Sequence, residues 1–134
     1  MLKDVACKFI DFPLHNFKGD YKRISCEEDL IKLTRSVEYA VAQGYSWVAL
    51  DIEHSKNHSY FGLICLIQLT VFDGEYKTFL IDVLMIDRKL VAKHLGAQII
   101  GNERIIKVLH GCIFSDLWWL ARDFGVVLNP VFDT

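Results

Sequence analysis

Several things are scarce in this sequence, and each shortage excludes something. Cysteine occurs four times, at Cys7, Cys26, Cys65 and Cys112, scattered with no C-x-x-C pair. Neither a zinc ribbon nor a disulfide framework is expected; free thiols in a reducing compartment are the plain reading. No apolar run reaches the roughly 18 residues that would span a bilayer. The start of the chain carries Lys3 and Asp4 without an uninterrupted apolar stretch, so neither an anchor nor a signal peptide is expected and no membrane partner is implied. There is no internal repeat, no low-complexity segment and no linker that would split the chain. Positive charge is not in excess either: the formal net charge is -2. That balance gives no general pull toward a polyanion, although a metal held by carboxylates can still meet a phosphate locally.

What is present suits one globular domain. The 134 residues are 52% apolar and 13% aromatic, enough for a real core. Residues 1–24 are irregular, with Pro13 and Gly19, and are expected to be a lead-in segment. There Lys18, Lys22 and Arg23 interleave with Phe17 and Tyr21, a backbone-binding patch on one reading and a solvated loop on the other. Ser25-Cys26-Glu27-Glu28 has the form of a capping box, and Leu30, Leu33, Val37 and Val41 follow at helical spacing until Gly44. Strands are expected over 47–53, 63–72 and 77–83, the last two joined by an Asp73-Gly74 hairpin. A helix over 87–95, a short strand over 105–109, a capped helix from Ser115 to Gly125 and a strand over 126–131 complete the pattern. Strands first, then alternating helix and strand, predict an α/β fold with a mixed sheet flanked by helices.

The chemistry gathers at Asp51-Ile52-Glu53. Alternation along a strand puts both carboxylates on one face and Ile52 on the other. Like charges side by side repel, which is sensible where a cation sits between them or where the strand end is open to water. Hard oxygen donors of this kind suit Mg²⁺ or Mn²⁺. By itself D-x-E reads first as an ordinary polar strand end. The residues after it narrow the choice: Glu53-His54, then Ser59-Tyr60-Phe61-Gly62, then Cys65-Leu66-Ile67-Gln68-Leu69-Thr70. This stretch resembles the first exonuclease motif of the RNase D branch of the DEDD 3′-5′ exonucleases, a group that includes the exonuclease subunit of the nuclear RNA exosome.

A second stretch resembles the same family's second motif. It runs Lys107-Val108-Leu109-His110-Gly111, then Asp116-Leu117-Trp118-Trp119-Leu120-Ala121-Arg122-Asp123-Phe124-Gly125, and then Phe132-Asp133-Thr134. The chain has one residue more than the usual pattern between His110-Gly111 and Asp116. Anchoring on Trp119-Leu120 and Asp123-Phe124-Gly125 puts Asp116 in register, whereas anchoring on His110-Gly111 would put Ser115 there. The helix anchor is preferred, since helix facing fixes a carboxylate more tightly than loop length does. The family's third motif, Y-x-x-x-D, does not occur after Asp116. The chain is therefore expected to be C-terminally incomplete, with a partial exonuclease domain over 25–134 and an RNase H-like sheet.

The resemblance implies a 3′-5′ exoribonuclease that hydrolyses single-stranded RNA with two Mg²⁺ or Mn²⁺ ions and releases nucleoside 5′-monophosphates. Asp51, Glu53 and Asp116 would be the catalytic, metal-binding carboxylates. Asp82 matches an acid outside the family's catalytic set and is read as structural; Asp133 belongs to the Phe132-Asp133-Thr134 strand end that the family also has and is not assigned as a further ligand. His54 and Trp119 would contact substrate; on its own His54 is equally a solvent-facing loop histidine, and Trp119 on its own reads first as a core aromatic. Nuclear placement and exosome core proteins as partners follow from the resemblance alone. Without the third motif, the 134-residue chain is expected to be inactive or weak. The alternative is a degenerate exonuclease fold that serves as an RNA-binding or protein-docking module. An RNase H-type endonuclease fits less well, because the signature over 62–68 belongs to the RNase D branch.

Overall fold

A computed structural model describes residues 21–57, 60–112 and 115–134. Six strands form one sheet: β1 (Tyr21–Ile24), β2 (Trp47–Ser55), β3 (Leu63–Phe72), β4 (Tyr76–Asp82), β5 (Ile106–Leu109) and β6 (Val131–Asp133). Their order across the sheet is β1-β4-β3-β2-β5-β6. β2, β3 and β4 are antiparallel neighbours, whereas β5 and β6 add in parallel to β2, and β1 pairs in parallel with β4. This is the mixed α/β sheet expected from the order of elements.

The apolar pattern decides which face each strand buries. Val48, Leu50 and Ile52 of β2 and Ile67, Leu69 and Val71 of β3 are all buried, each at alternate positions. Helix α1 (Glu27–Ala42) turns Leu30, Leu33 and Val37 inward, and Gly44, at φ +95°, follows its C-terminus. α1 packs on β3 and against a π-helical segment (Ala92–Ile100) that continues α2 (Arg88–Val91). Helix α3 (Asp116–Phe124) packs on β3 and α2 and ends at Gly125, whose left-handed φ of +66° suits glycine at that position.

Four local expectations are corrected. Tyr21–Ile24, inside the stretch read as a lead-in, is a strand at the sheet edge; residues 1–20 lie outside the described residues. The Lys22 and Arg23 part of the basic patch is tied to carboxylates, with Lys22 Nζ 3.7 Å from Asp29 and Arg23 Nη2 2.7 Å from Asp82, while Lys18 and Phe17 lie outside the described residues. The capping box is not made: the residue before α1 is Cys26, with no side-chain cap, and its thiol faces Asp29 Oδ2 at 3.5 Å. Finally, residues 126–130 are not strand. β6 starts only at Val131, because the backbone there turns to hand the carbonyls of Asn129 and Pro130 to Lys107. Asp82 has the structural place expected of it, held by Arg23 and accepting a hydrogen bond from the Leu84 amide.

Candidate active site

The acidic pair sits where β2 leaves its regular pairing. Asp51 is opposite Gln68 and Glu53 opposite Leu66, and the register shifts between Glu53 and His54. Both carboxylates are exposed while Ile52 is buried, as alternation requires. The shift re-aims the next side chain, a common use of a bulge beside a site. His54 is turned onto the Trp119 ring, with centroids 4.7 Å apart and planes 27° apart. Gln68 Nε2 donates to Asp51 Oδ2 at 3.3 Å from the neighbouring strand.

Asp116 arrives from the other side, as the first residue of α3. It is only 8% exposed. Ser115 makes no side-chain cap to α3, against the capped start expected; its Oγ donates instead to Asp116 Oδ1 at 3.0 Å. Burial pushes the Asp116 carboxyl above the ordinary range, and the negative charges of Asp51 and Asp133 add to that push; Ser115 and His54 oppose it. Asp51, His54 and Asp133 therefore lie within electrostatic reach of Asp116. Glu53 shares Asp51's face, and its charge bears on the Cys65 thiol, whose pKa is raised mainly by burial.

These residues can be tested as a cation site from their chemistry. The donors are carboxylate oxygens, and among the described residues none of Asp51, Glu53 and Asp116 has an ion-pair partner. Carboxylates left without a counter-charge suit a hard divalent ion. The geometry is less complete: among the described residues no three His, Cys, Asp or Glu side chains converge as a ligand set. Asp51 and Asp116 are brought together, but the three carboxylates are not drawn to one point.

The substrate candidates have definite surroundings. Trp119 is 6% exposed and belongs to the core, and its ring is stacked with His54. A Cβ on Gly62, at φ +65°, would stand 2.4 Å from Trp119 Cη2. The residue before the second strand of the motif is glycine because the indole occupies that space.

Two features go beyond the sequence reading. One is a clamp from α3 to the β2–β3 loop: Arg122 donates through Nη1 to the Phe61 carbonyl and through Nη2 to the Gly62 carbonyl, and pairs with Asp123. Asp123 in turn accepts from the Ile64 amide at 3.1 Å and pairs with Arg88 at 3.0 Å. Burial raises the Asp123 carboxyl, but its hydrogen bonds and the two arginines outweigh it, and the net shift is downward. The sequence signal was only Arg122-Asp123 beside the helix end. The other is Asp133, beside Leu109 at the end of β6, whose Oδ1 accepts from the Cys112 amide at 3.3 Å and whose charge acts on Asp116.

Among the described residues, no helix is long and apolar enough to cross a membrane. The chain is similar to the exosome complex exonuclease RRP6 of Saccharomyces cerevisiae, 37% identical over 87 residues that make up 65% of this chain and 11% of that protein. It is also similar to the exosome complex component 10 homolog of Caenorhabditis elegans, 40% identical over 88 residues, 64% of this chain and 9% of that one. It thus spans about a tenth of the length of these relatives. Among solved structures, the catalytic core of RRP6 from Trypanosoma brucei superposes with a TM-score of 0.70 at 28% identity, covering 89% of this chain and 30% of that one. A family model described as 3′-5′ exonuclease matches residues 21–134, and on that match the chain belongs to the 3′-5′ exonuclease family.

Proposed function

We propose that the protein is a 3′-5′ exoribonuclease of the RNase D and RRP6 type, which removes nucleoside 5′-monophosphates one at a time from the 3′ end of single-stranded RNA. The observation that carries this reading is the buried Asp116 carboxyl, within electrostatic reach of Asp51 and without an ion pair among the described residues. Burying a carboxylate beside a like charge opposes folding, and a divalent cation relieves it. Asp51, Glu53 and Asp116 would hold Mg²⁺ or Mn²⁺. When bound, such ions activate water as a nucleophile and neutralise charge on the leaving 3′ oxygen.

The chain's own side chains supply the rest. Gln68 fixes one oxygen of Asp51, and Ser115 fixes one of Asp116, so each carboxylate keeps its other oxygen for a ligand. His54, braced on Trp119, is placed to donate to a phosphate or sugar oxygen of the terminal nucleotide, and the indole excludes water on that side. Among the described residues no full ligand set converges, in keeping with a 134-residue chain that is by itself an inactive or weak enzyme. By likeness to its relatives, it acts in the nucleus in company with exosome core proteins.

A second reading takes support from the same lack of convergence: an exonuclease fold retained for binding RNA or docking a protein, without turnover. The deciding experiment offers 5′-labelled single-stranded RNA with Mg²⁺ or Mn²⁺ to the chain at high concentration. Stepwise shortening from the 3′ end, lost in Asp51→Asn and blocked by a 3′-terminal phosphate, is expected. Binding without shortening selects the second reading, and internal cuts refute both.

A further inference from the structure

We propose that Trp118, together with Phe61 and Tyr60, forms a second base-stacking shelf outside the Trp119 pocket, which takes nucleobases 5′ of the terminal nucleotide. The proposal rests on the exonuclease reading and adds to it a place for the strand to lie.

The observation is a set of large aromatic rings left in water around the Arg122 clamp. Trp118 is 58% exposed, Phe61 72% and Tyr60 97%. They come from two elements, α3 and the end of the β2–β3 loop, and Arg122 joins the two. Its guanidinium lies 5.0 Å from the Trp118 ring centroid and 4.3 Å from that of Trp119, while its donors hold the carbonyls of Phe61 and Gly62. The rings are also braced against one another: Trp118 meets Trp119 edge to face at 5.3 Å and 82°, and Tyr60 meets Phe61 at 5.1 Å and 84°. Edge-to-face contact fixes a ring without covering both of its faces.

Three properties point to bases rather than to a protein partner. The rings form separate flat faces interrupted by a guanidinium, not a continuous apolar groove. Arg122 spends its donors on Asp123 and on loop carbonyls, so it orders the surface rather than recruiting a phosphate or carboxylate. The shelf also adjoins the His54–Trp119 stack through Trp119 itself. A strand whose last nucleotide reached that stack would pass its next bases over Trp118. Every base has a π-face, so such a shelf grips a strand without reading its sequence. The chain's net charge of -2 makes this useful, because affinity here cannot come from a broad basic surface.

The test measures binding of a 5′-labelled oligoribonucleotide of about ten residues to the full 134-residue chain carrying Asp51→Asn, which is not expected to cut it. Trp118→Ala is expected to weaken binding about tenfold, Phe61→Ala less, and Trp118→Phe hardly at all. With an oligonucleotide abasic at the two positions before the 3′ end, the parent and Trp118→Ala should bind alike. Equal binding of parent and Trp118→Ala to the intact strand, with Trp119→Ala still weakening it, overturns the shelf and leaves the exonuclease reading standing. No binding by the parent, together with no shortening by the unsubstituted chain, refutes that reading and the shelf with it. If Trp118→Ala changes the sedimentation of the chain but not strand binding, the surface serves self-association and the shelf is wrong. Trp118 is on the surface, so far-ultraviolet circular dichroism should show the variants folded.

Discussion

The two ends of β5 each bury a charge, and they treat it differently. At the start of the strand Lys107 is fully buried, and its ammonium donates to the carbonyls of Asn102, at 2.8 Å, and Asn129. Beyond the other end Asp116 is nearly as deep, yet its charged neighbours include Asp51 and Asp133. The lysine closes the structure, tying the turn before β5 to the turn before β6. The aspartate leaves it open, since a buried carboxylate facing two others is stable only at some expense to the fold. A buried charge alone therefore says little about function; what its neighbours do with it separates a brace from a site.

The largest effect should come from the brace. Lys107→Met keeps the volume but takes the donor from the Asn129 carbonyl and one of the two donors from that of Asn102, which keeps the Ile105 amide, and we expect a loss of about 3 kcal/mol in urea unfolding. The pH dependence has a definite sign. Burial, partly opposed by Glu103, pulls Lys107 from 10.5 to about 8. Between those values the folded chain binds fewer protons than the unfolded one, so wild-type stability relative to the methionine variant rises with pH across that window. A neutral or stabilising Lys107→Met would break the contrast, making Lys107 one more tolerated charge.

Next in size is Gly62→Ala. The site end is not slack merely because its charges are unpaired: its rigidity comes from the aromatic wall, and Gly62 is where the loop meets it. A Cβ 2.4 Å from Trp119 Cη2, on a backbone at φ +65°, should lower stability by about 2 kcal/mol. The His54–Trp119 stack should shift with it, seen as a change in tryptophan emission. Unchanged emission and stability would mean that the wall yields easily and that Trp119 is not held in place.

Much of this was legible in the sequence, because alternation and helical spacing are local. The buried sets of β2, β3 and α1 follow directly from positions such as Leu50, Ile67 and Leu33. Asp51 and Glu53 fall on one face by the same rule, and Asp116 begins its helix as the helix anchor required. What was hidden depends on contacts across long stretches of chain. Nothing around Lys107 announces that Asn102 and Asn129 will converge on it, and a lysine in a strand is ordinarily read as exposed. Nor does Arg122 declare that its partners are carbonyls 60 and 61 residues earlier. The missing cap at Ser25 shows the opposite error, a local pattern that fits the rule while the helix starts one residue later, behind Cys26.

Divalent cations should sharpen the contrast from the site end. An ion that binds only the folded chain, at ten times its dissociation constant, stabilises it by about 1.4 kcal/mol. We expect Mn²⁺ to raise the melting temperature of the wild type and of Lys107→Met alike, and to leave Asp51→Asn unmoved. Equal stabilisation of Asp51→Asn would place the ion elsewhere.

The smallest effect has the opposite sign from the first. Asp116→Asn keeps an oxygen to accept from Ser115 and removes only the charge. In EDTA at neutral pH it should stabilise the chain by about 1 kcal/mol. Burial, then Asp51 and Asp133, raise the Asp116 carboxyl above its ordinary 3.8, so the folded state holds its proton to higher pH than the unfolded state does. Stability contributed by the neutral form is complete below 3.8 and is lost as pH rises through the folded value. The asparagine variant should therefore match the wild type in acid and overtake it toward neutrality, as urea unfolding at the two ends of that range would show. A variant less stable than wild type at neutral pH would mean that a partner stabilises the Asp116 charge, and the open end of β5 would then be as closed as the lysine end.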